Sequence, residues 1–139
     1  MARRPTDADY ARLAGLRAGV RRYLAWAERC AREHDTTPAQ VQLALAIRAH
    51  PGAAGPSITE LADTLLLRHH SVVGLIDRAE QAGLVSRDRD PEQHSVVRVT
   101  LTDSGREHLA AITAQHTAWL EEHAAELAEA LASFGGRTT

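Results

Sequence analysis

The sequence predicts a mainly α fold with one small β element, and three observations carry that expectation. Apolar residues recur at steps of three and four along two long stretches, one toward each end of the chain. Between them lie two short amphipathic stretches, joined by a tight turn and closed by Gly83. After Gly83 comes a charged segment flanked by two short runs of alternating apolar and polar residues. Two short helices followed by a hairpin form a winged helix-turn-helix, an architecture that places one helix in a DNA major groove.

The elements follow in order. Thr6-Asp7-Ala8-Asp9 resembles a capping box. Behind it, Tyr10, Leu13, Leu16, Val20, Tyr23 or Leu24, Ala27 and Ala31 mark one amphipathic helix over about 7–34. Thr37-Pro38-Ala39-Gln40 supplies a Thr cap and a first-turn Pro. It opens a second helix that is expected to bury Val41, Ala44, Leu45 and Ile47 and to stop before Pro51-Gly52. Ser57-Ile58-Thr59-Glu60 is a full capping box, and the third helix turns Ile58, Leu61, Ala62 and Leu65 inward. The fourth helix is expected over about 69–82, with Val72, Leu75, Ile76 and Ala79 as its core stripe and Gly83 as its terminator. Leu84-Val85-Ser86-Arg87 begins a wing strand, Asp90 to His94 forms a polar tip, and Val97, Val99 and Leu101 share one face of the return strand. The last helix begins near Asp103 and follows Leu109, Ile112, His116, Trp119 or Leu120, His123, Leu127 and Leu131 to about Ser133, with Gly135-Gly136 as its end.

The chain has 139 residues, enough for one domain with a core of its own. The expected division is a winged module over 37–102 and end helices over 7–34 and 103–133. The end helices carry more apolar surface than the winged module can cover, so a two-fold homodimer is expected to bury it. No apolar run is long enough to span a bilayer, and the N-terminus lacks an apolar stretch. A single cysteine, Cys30, excludes an internal disulfide, and a cytoplasmic location is expected.

Charge argues against a simple basic DNA binder. The net charge is −2, and every basic residue other than histidine is an arginine. Residues 51–102 hold five Arg against seven acids, whereas residues 1–50 hold nine Arg against five. Phosphate contact must therefore come from a few arginines gathered on one face.

Several segments together resemble a known family. They are Thr37-Pro38-Ala39-Gln40, Ile58-Thr59-Glu60-Leu61-Ala62, the run from Val73 to Val85 and the run from Val99 to Gly105. In this order and spacing the chain resembles a MarR-type winged-helix transcriptional regulator over nearly its full length. The resemblance implies a homodimer on a near-palindromic operator in double-stranded DNA, with a ligand or oxidant lowering affinity. It places base-reading positions at Arg68, His69, His70, Ser71, Val73 and Gly74. It also expects an Asp-x-Arg motif in the wing, where this chain has Gln93-His94-Ser95. Ser95 stands at the arginine's place, and Arg89, His94 or Arg98 could substitute. Arg68 is also a poor helix cap, a second departure. Relatives bind ligands between the dimer helices and the winged module, which here points to Tyr23, Trp26, His50 and Trp119.

The plainer roles stay open beside these. Arg78 could contact phosphate or pair with an acid of its own or the next helix. Arg87 and Arg89 alternate with Asp88 and Asp90, which also suits a solvated wing. Oxidant-sensing relatives carry their cysteine near the start of the first helix. Cys30 lies near its end and reads as a small buried hydrophobe. His34, His108, His116 and His123 lie on helices expected to meet, but no His-x-x-x-His or Cys-x-x-Cys pair occurs, and no metal or other cofactor is expected. No catalytic motif appears, so an enzyme is not expected. The expected function is a repressor released by a small molecule. The alternatives are an interaction module that has lost DNA binding and, more remotely, a metal-responsive regulator.

Overall fold

The computed structural model describes residues 2–135 and has the expected order of elements. Helix α1 spans Asp7–Glu33, α2 Pro38–Ala49, α3 Ile58–Leu65 and α4 His69–Gln81. Strands β1 (Val85–Arg89) and β2 (Val97–Leu101) follow, and α5 runs Asp103–Gly135. Gly136, expected to help end α5, lies outside the described residues.

The chain divides into two compact units, one of residues 31–113 and one of residues 2–30 with 114–135. In the first unit, local sequence sets the helix ends. The Thr37 hydroxyl accepts from the Gln40 N–H at 3.2 Å. Ser57 and Glu60 cap α3 reciprocally, at 3.1 and 3.2 Å. Gly83, at φ +75°, closes α4: its N–H donates to the Glu80 carbonyl and the Leu84 N–H to the Ala79 carbonyl, both at 3.0 Å. Thr102 begins α5 and ties it back to the end of α4. Its hydroxyl accepts from Gly105 N–H at 3.0 Å and donates to the Gly83 carbonyl at 2.6 Å.

The core of this unit joins Leu43, Ile47, Leu61, Val72, Leu75, Ile76, Ala79, Val85, Val99, Leu101 and Leu109. One sequence expectation is corrected here. Leu43 is buried (1% exposed) and Leu45 is out (41%). The packed residues of α2 are Gln40, Val41, Leu43, Ala44 and Ile47, of which Val41, Leu43 and Ile47 are buried. On that face the Gln40 side chain donates to the Leu75 carbonyl at 3.0 Å. A polar residue on the packed face hid the true stripe.

The wing is an antiparallel pair with Val85 opposite Leu101 and Arg89 opposite Val97. It does not stand alone. Ser57 bridges to Arg98, and the Val99 N–H donates to the Pro56 carbonyl at 3.0 Å.

In the other unit, α1 and the outer part of α5 pack through aromatic rings. Cys30 is buried (2% exposed), and its thiol donates to the Gln115 side-chain carbonyl at 3.4 Å. Tyr10, Leu13, Val20 and Leu24 are exposed along one stripe of α1, and Leu131 and Phe134 on α5. No helix of the described residues is long and apolar enough to cross a membrane.

Candidate nucleic-acid interface

Helix α4 is placed by its core stripe, which turns the opposite face outward. Arg68, His69, His70 and Arg78 are exposed, and Ser71, Val73 and Gly74 are half-buried. No side chain caps the start of α4 at Arg68. Its first N–H groups are therefore open to solvent or an anion, and the helix dipole adds partial positive charge there. Arg68 and Arg78 make no ion pair among the described residues.

The arginines of the wing are engaged. Arg87 pairs with Asp77 at 2.8 Å and with Glu80 at 2.9 Å, both on α4. This contact holds the Glu80 carboxyl below its usual range. Arg98 pairs with Asp90 at 3.0 Å and Glu60 at 2.9 Å. Asp90 also accepts from the N–H groups of Gln93 and Glu92, and these bonds and Arg98 keep it ionised. Arg89 donates to the His94 carbonyl at 2.8 Å, bracing the tip. His94 and Ser95 are exposed. The wing's positive charge is thus largely spent on internal acids, which leaves the guanidiniums of Arg68 and Arg78 as the unpaired cations of α4.

Glu60 is a hub that the sequence shows only as a helix cap. It closes the α3 capping box, accepts from Arg98 and sits 2.8 Å from His50 Nε2. His50 and the Ser57 N–H hold its carboxyl down to about 2. A folded-state pKa below the unfolded value of about 4.5 stabilises the fold above that pH, and the gain is lost as pH falls from about 4.5 toward about 2. Nearly half of the Glu60 side chain is exposed (46%), so screening limits the gain to about 1 kcal/mol. Denaturant unfolding between pH 5 and 3 should therefore show a shallower loss of stability in Glu60→Gln than in the parent. Parallel curves would remove Glu60 from this role.

The residues expected to line a ligand site fall in both units. In the helical unit, Tyr23, Trp26 and Trp119 stack on one another with centroids 5.4–6.5 Å apart. His116 and His123 join them. The Tyr23 hydroxyl lies 2.9 Å from His116 Nδ1, and His123 stacks on Trp119 at 4.0 Å. Burial pushes the Tyr23 phenol pKa up and the His116 pKa down, so both favour the neutral form. His116 Nε2 is buried without a hydrogen-bond partner among the described residues. Trp26, Trp119 and His123 edge a cleft of about 600 Å³, flanked by Arg22, Arg29 and Glu126. His50 belongs to the winged unit, where its second ring nitrogen accepts from the Gly52 N–H at 3.1 Å. The sequence offered no signal for that engagement. His34 and His108 come together through a 2.9 Å bond from the His108 ring to the His34 carbonyl.

The comparisons match this geometry. A MarR family model matches residues 34–94, the stretch that holds α2 to the wing tip. No curated protein matches the chain. Among solved structures, AbsC, a MarR family transcriptional regulator from Streptomyces coelicolor, is 19% identical, with TM-score 0.77 over 88% of this chain and 82% of its own. A MarR family protein from Bacillus stearothermophilus is 22% identical, with TM-score 0.74 over 86% and 81%. The transcriptional repressor CouR, bound to a 23-mer DNA duplex, is 28% identical, with TM-score 0.69 over 86% and 89%. Residues 34–94 match the MarR family model and the fold is shared along the chain with these proteins, so the molecule has a winged helix-turn-helix fold similar to that of MarR family regulators.

Proposed function

We propose that this chain is a homodimeric, sequence-specific transcriptional repressor that reads DNA with the start of α4 and is released by a small molecule. The observation that carries the reading is the outward face of α4. Arg68, His69 and His70 are exposed around an uncapped helix start, Arg78 is exposed in the last turn, and neither arginine makes an ion pair among the described residues. Guanidinium and imidazole groups at the start of such a helix can reach base edges and phosphates. CouR, with this fold, is a repressor bound to a duplex. The low net charge fits a reader that uses few, well-placed cations, because Arg87 and Arg98 are matched to acids of α4, α3 and the wing.

In this reading Arg68, His69, His70, Ser71, Val73 and Gly74 face the major groove and Arg78 a phosphate. Arg89 and His94 are the wing groups nearest to hand for the minor groove. Arg87 and Arg98 would first have to leave their carboxylates. The exposed stripe of Tyr10, Leu13, Val20 and Leu24, with Leu131 and Phe134, supports a partner copy as its cover. The cleft edged by Trp26, Trp119 and His123, beside the Tyr23 ring that stacks on both tryptophans, supports an aromatic effector site.

Selection from random duplexes tests the reading. The full chain should enrich a two-fold symmetric site whose half-sites lie about one helical turn apart. Unenriched pools, with binding equal on all sequences, would favour the interaction-module alternative instead.

A further inference from the structure

Pro51 forces the residue before it out of the helix, and His50 ends α2 in an extended conformation at φ −62°, ψ 132°. Its ring is then held from two sides. On one side Nε2 lies 2.8 Å from the Glu60 carboxylate of α3. On the other the Gly52 N–H donates to Nδ1 at 3.1 Å. A ring nitrogen that accepts an N–H carries no proton of its own, so the bonding pattern assigns the neutral ring with its proton on Nε2. Glycine at 52 lets the ring come this close: a Cβ there would lie 3.0 Å from His50 Cε1.

A second proton on this ring goes to Nδ1, where it meets the Gly52 N–H, donor against donor. An acceptor close by is the Gly52 carbonyl, 3.5 Å from Nδ1, which already accepts from the Gly55 N–H at 3.1 Å. Protonation therefore exchanges partners within the loop after α2. That loop is seated on the wing. A Cβ at Gly55 (φ +84°) would lie 2.2 Å from the Val99 carbonyl oxygen, and the Val99 N–H donates to the Pro56 carbonyl at 3.0 Å. The carboxylate side leads to the same strand. Glu60 holds His50 on one oxygen and Arg98 of β2 on the other, at 2.8 and 2.9 Å. A charged His50 brings a second cation to that carboxylate, the two cations repel, and Arg98 keeps Asp90 as its other partner. Histidine is the side chain that changes charge between pH 5 and 8. Its neighbours do not: Glu60, held down to about 2, stays ionised, and Arg48 of α2, Arg98 of β2 and Arg106 of α5 stay charged.

We propose that His50 is a proton switch on the wing: its neutral form locks the loop after α2 and Arg98 in place, and its charged form loosens both and tightens DNA binding. Only the last step rests on the regulator reading. A guanidinium released from Glu60 is free to reach a phosphate or the minor groove, so affinity rises as pH falls. By linkage, duplex binding must raise the proton affinity of the ring.

The test begins on the full chain without DNA, by nitrogen NMR across roughly pH 8 to 5.5, the range in which histidine titrates. At the alkaline end His50 should show the Nε2–H tautomer. On acidification its Nδ1, the Gly52 and Gly55 amides and the Arg98 Nε should shift along one titration curve. In His50→Gln, which can donate like the neutral ring but never charges, the glycine and Arg98 signals should stay flat. Thermal unfolding checks that the variant folds, and the parent titration decides alone if it does not. An Nδ1–H tautomer at the alkaline end, glycine and Arg98 signals that do not follow the ring, or signals that still move in His50→Gln overturn the switch. The second arm is anisotropy on a selected duplex at both ends of the range. Exposed His69, His70 and His94 also gain charge there, so the switch is read as a difference between variants. The gain in affinity on acidification should be larger in the parent than in His50→Gln by about fivefold, the low end of ordinary coupling. Arg98→Gln should lose the same increment. Equal gains in parent and His50→Gln overturn the coupling to DNA. A chain whose ring and loop titrate together but which binds no duplex keeps the switch and rejects the regulator reading.

Discussion

Gly105→Ala should destabilise the winged unit by about 3 kcal/mol, the upper end of ordinary overpacking. A Cβ at this position would lie 2.0 Å from the Leu84 carbonyl oxygen, 2.9 Å from its carbon and 3.2 Å from its Cα. These are backbone atoms and cannot swing aside like a side-chain end. Leu84 is pinned from both sides: its N–H donates to Ala79 and its carbonyl accepts from Thr102, both at 3.0 Å. Relief would separate the start of α5 from the end of α4, the joint that fixes both the wing and the recognition helix. DNA binding should fall with stability. Gly15→Ala gives the opposite sign, because nothing lies within 4 Å of a Cβ there and the residue is helical. It should raise stability by about 0.5–1 kcal/mol. Denaturant melts of both variants check the pair.

Leu13→Glu combined with Leu24→Glu should convert the protein to a monomer and lower operator affinity by about a hundredfold or more. Both side chains are about half exposed (51% and 54%) on the stripe that the homodimer reading covers, so the folded chain itself tolerates the change. At a two-fold interface each substitution is made twice and places carboxylates in a desolvated patch. Losing the dimer uncouples the half-sites, and the second contact is no longer intramolecular. Sedimentation and anisotropy on the same samples read both effects. A double variant that stays dimeric would move the interface elsewhere.

Much of the fold was legible because local chemistry wrote it. Thr37, the Ser57–Glu60 box and Gly83 mark helix ends through hydrogen bonds within a few residues, and all four act as the sequence implies. The Val97, Val99 and Leu101 face of β2 was visible as a period of two. Long-range partnerships were not legible. Leu45 took the place of Leu43 in the expected core because Gln40 occupies the inward face of α2 and bonds to Leu75, far along the chain. Glu60 announced its cap, but not its bonds to Arg98 and His50. Arg87 and Arg98 looked equally fit for DNA until Asp77, Glu80 and Asp90 came into reach. Spacing along the chain shows which residues share a face, while which charges cancel is decided only when the faces meet.

The central claim is that the exposed start of α4 reads DNA. The most direct measurement is an anisotropy titration of the parent and Arg68→Ala on a selected duplex and on random duplexes, across several salt concentrations. The parent should prefer the selected duplex, and Arg68→Ala should lose about 1–3 kcal/mol on it if the guanidinium bonds a base edge. If the contact is to phosphate, binding should weaken alike on all duplexes and the salt slope should fall by about one. A parent without preference, together with an Arg68→Ala affinity equal to the parent's on every duplex, would contradict the account.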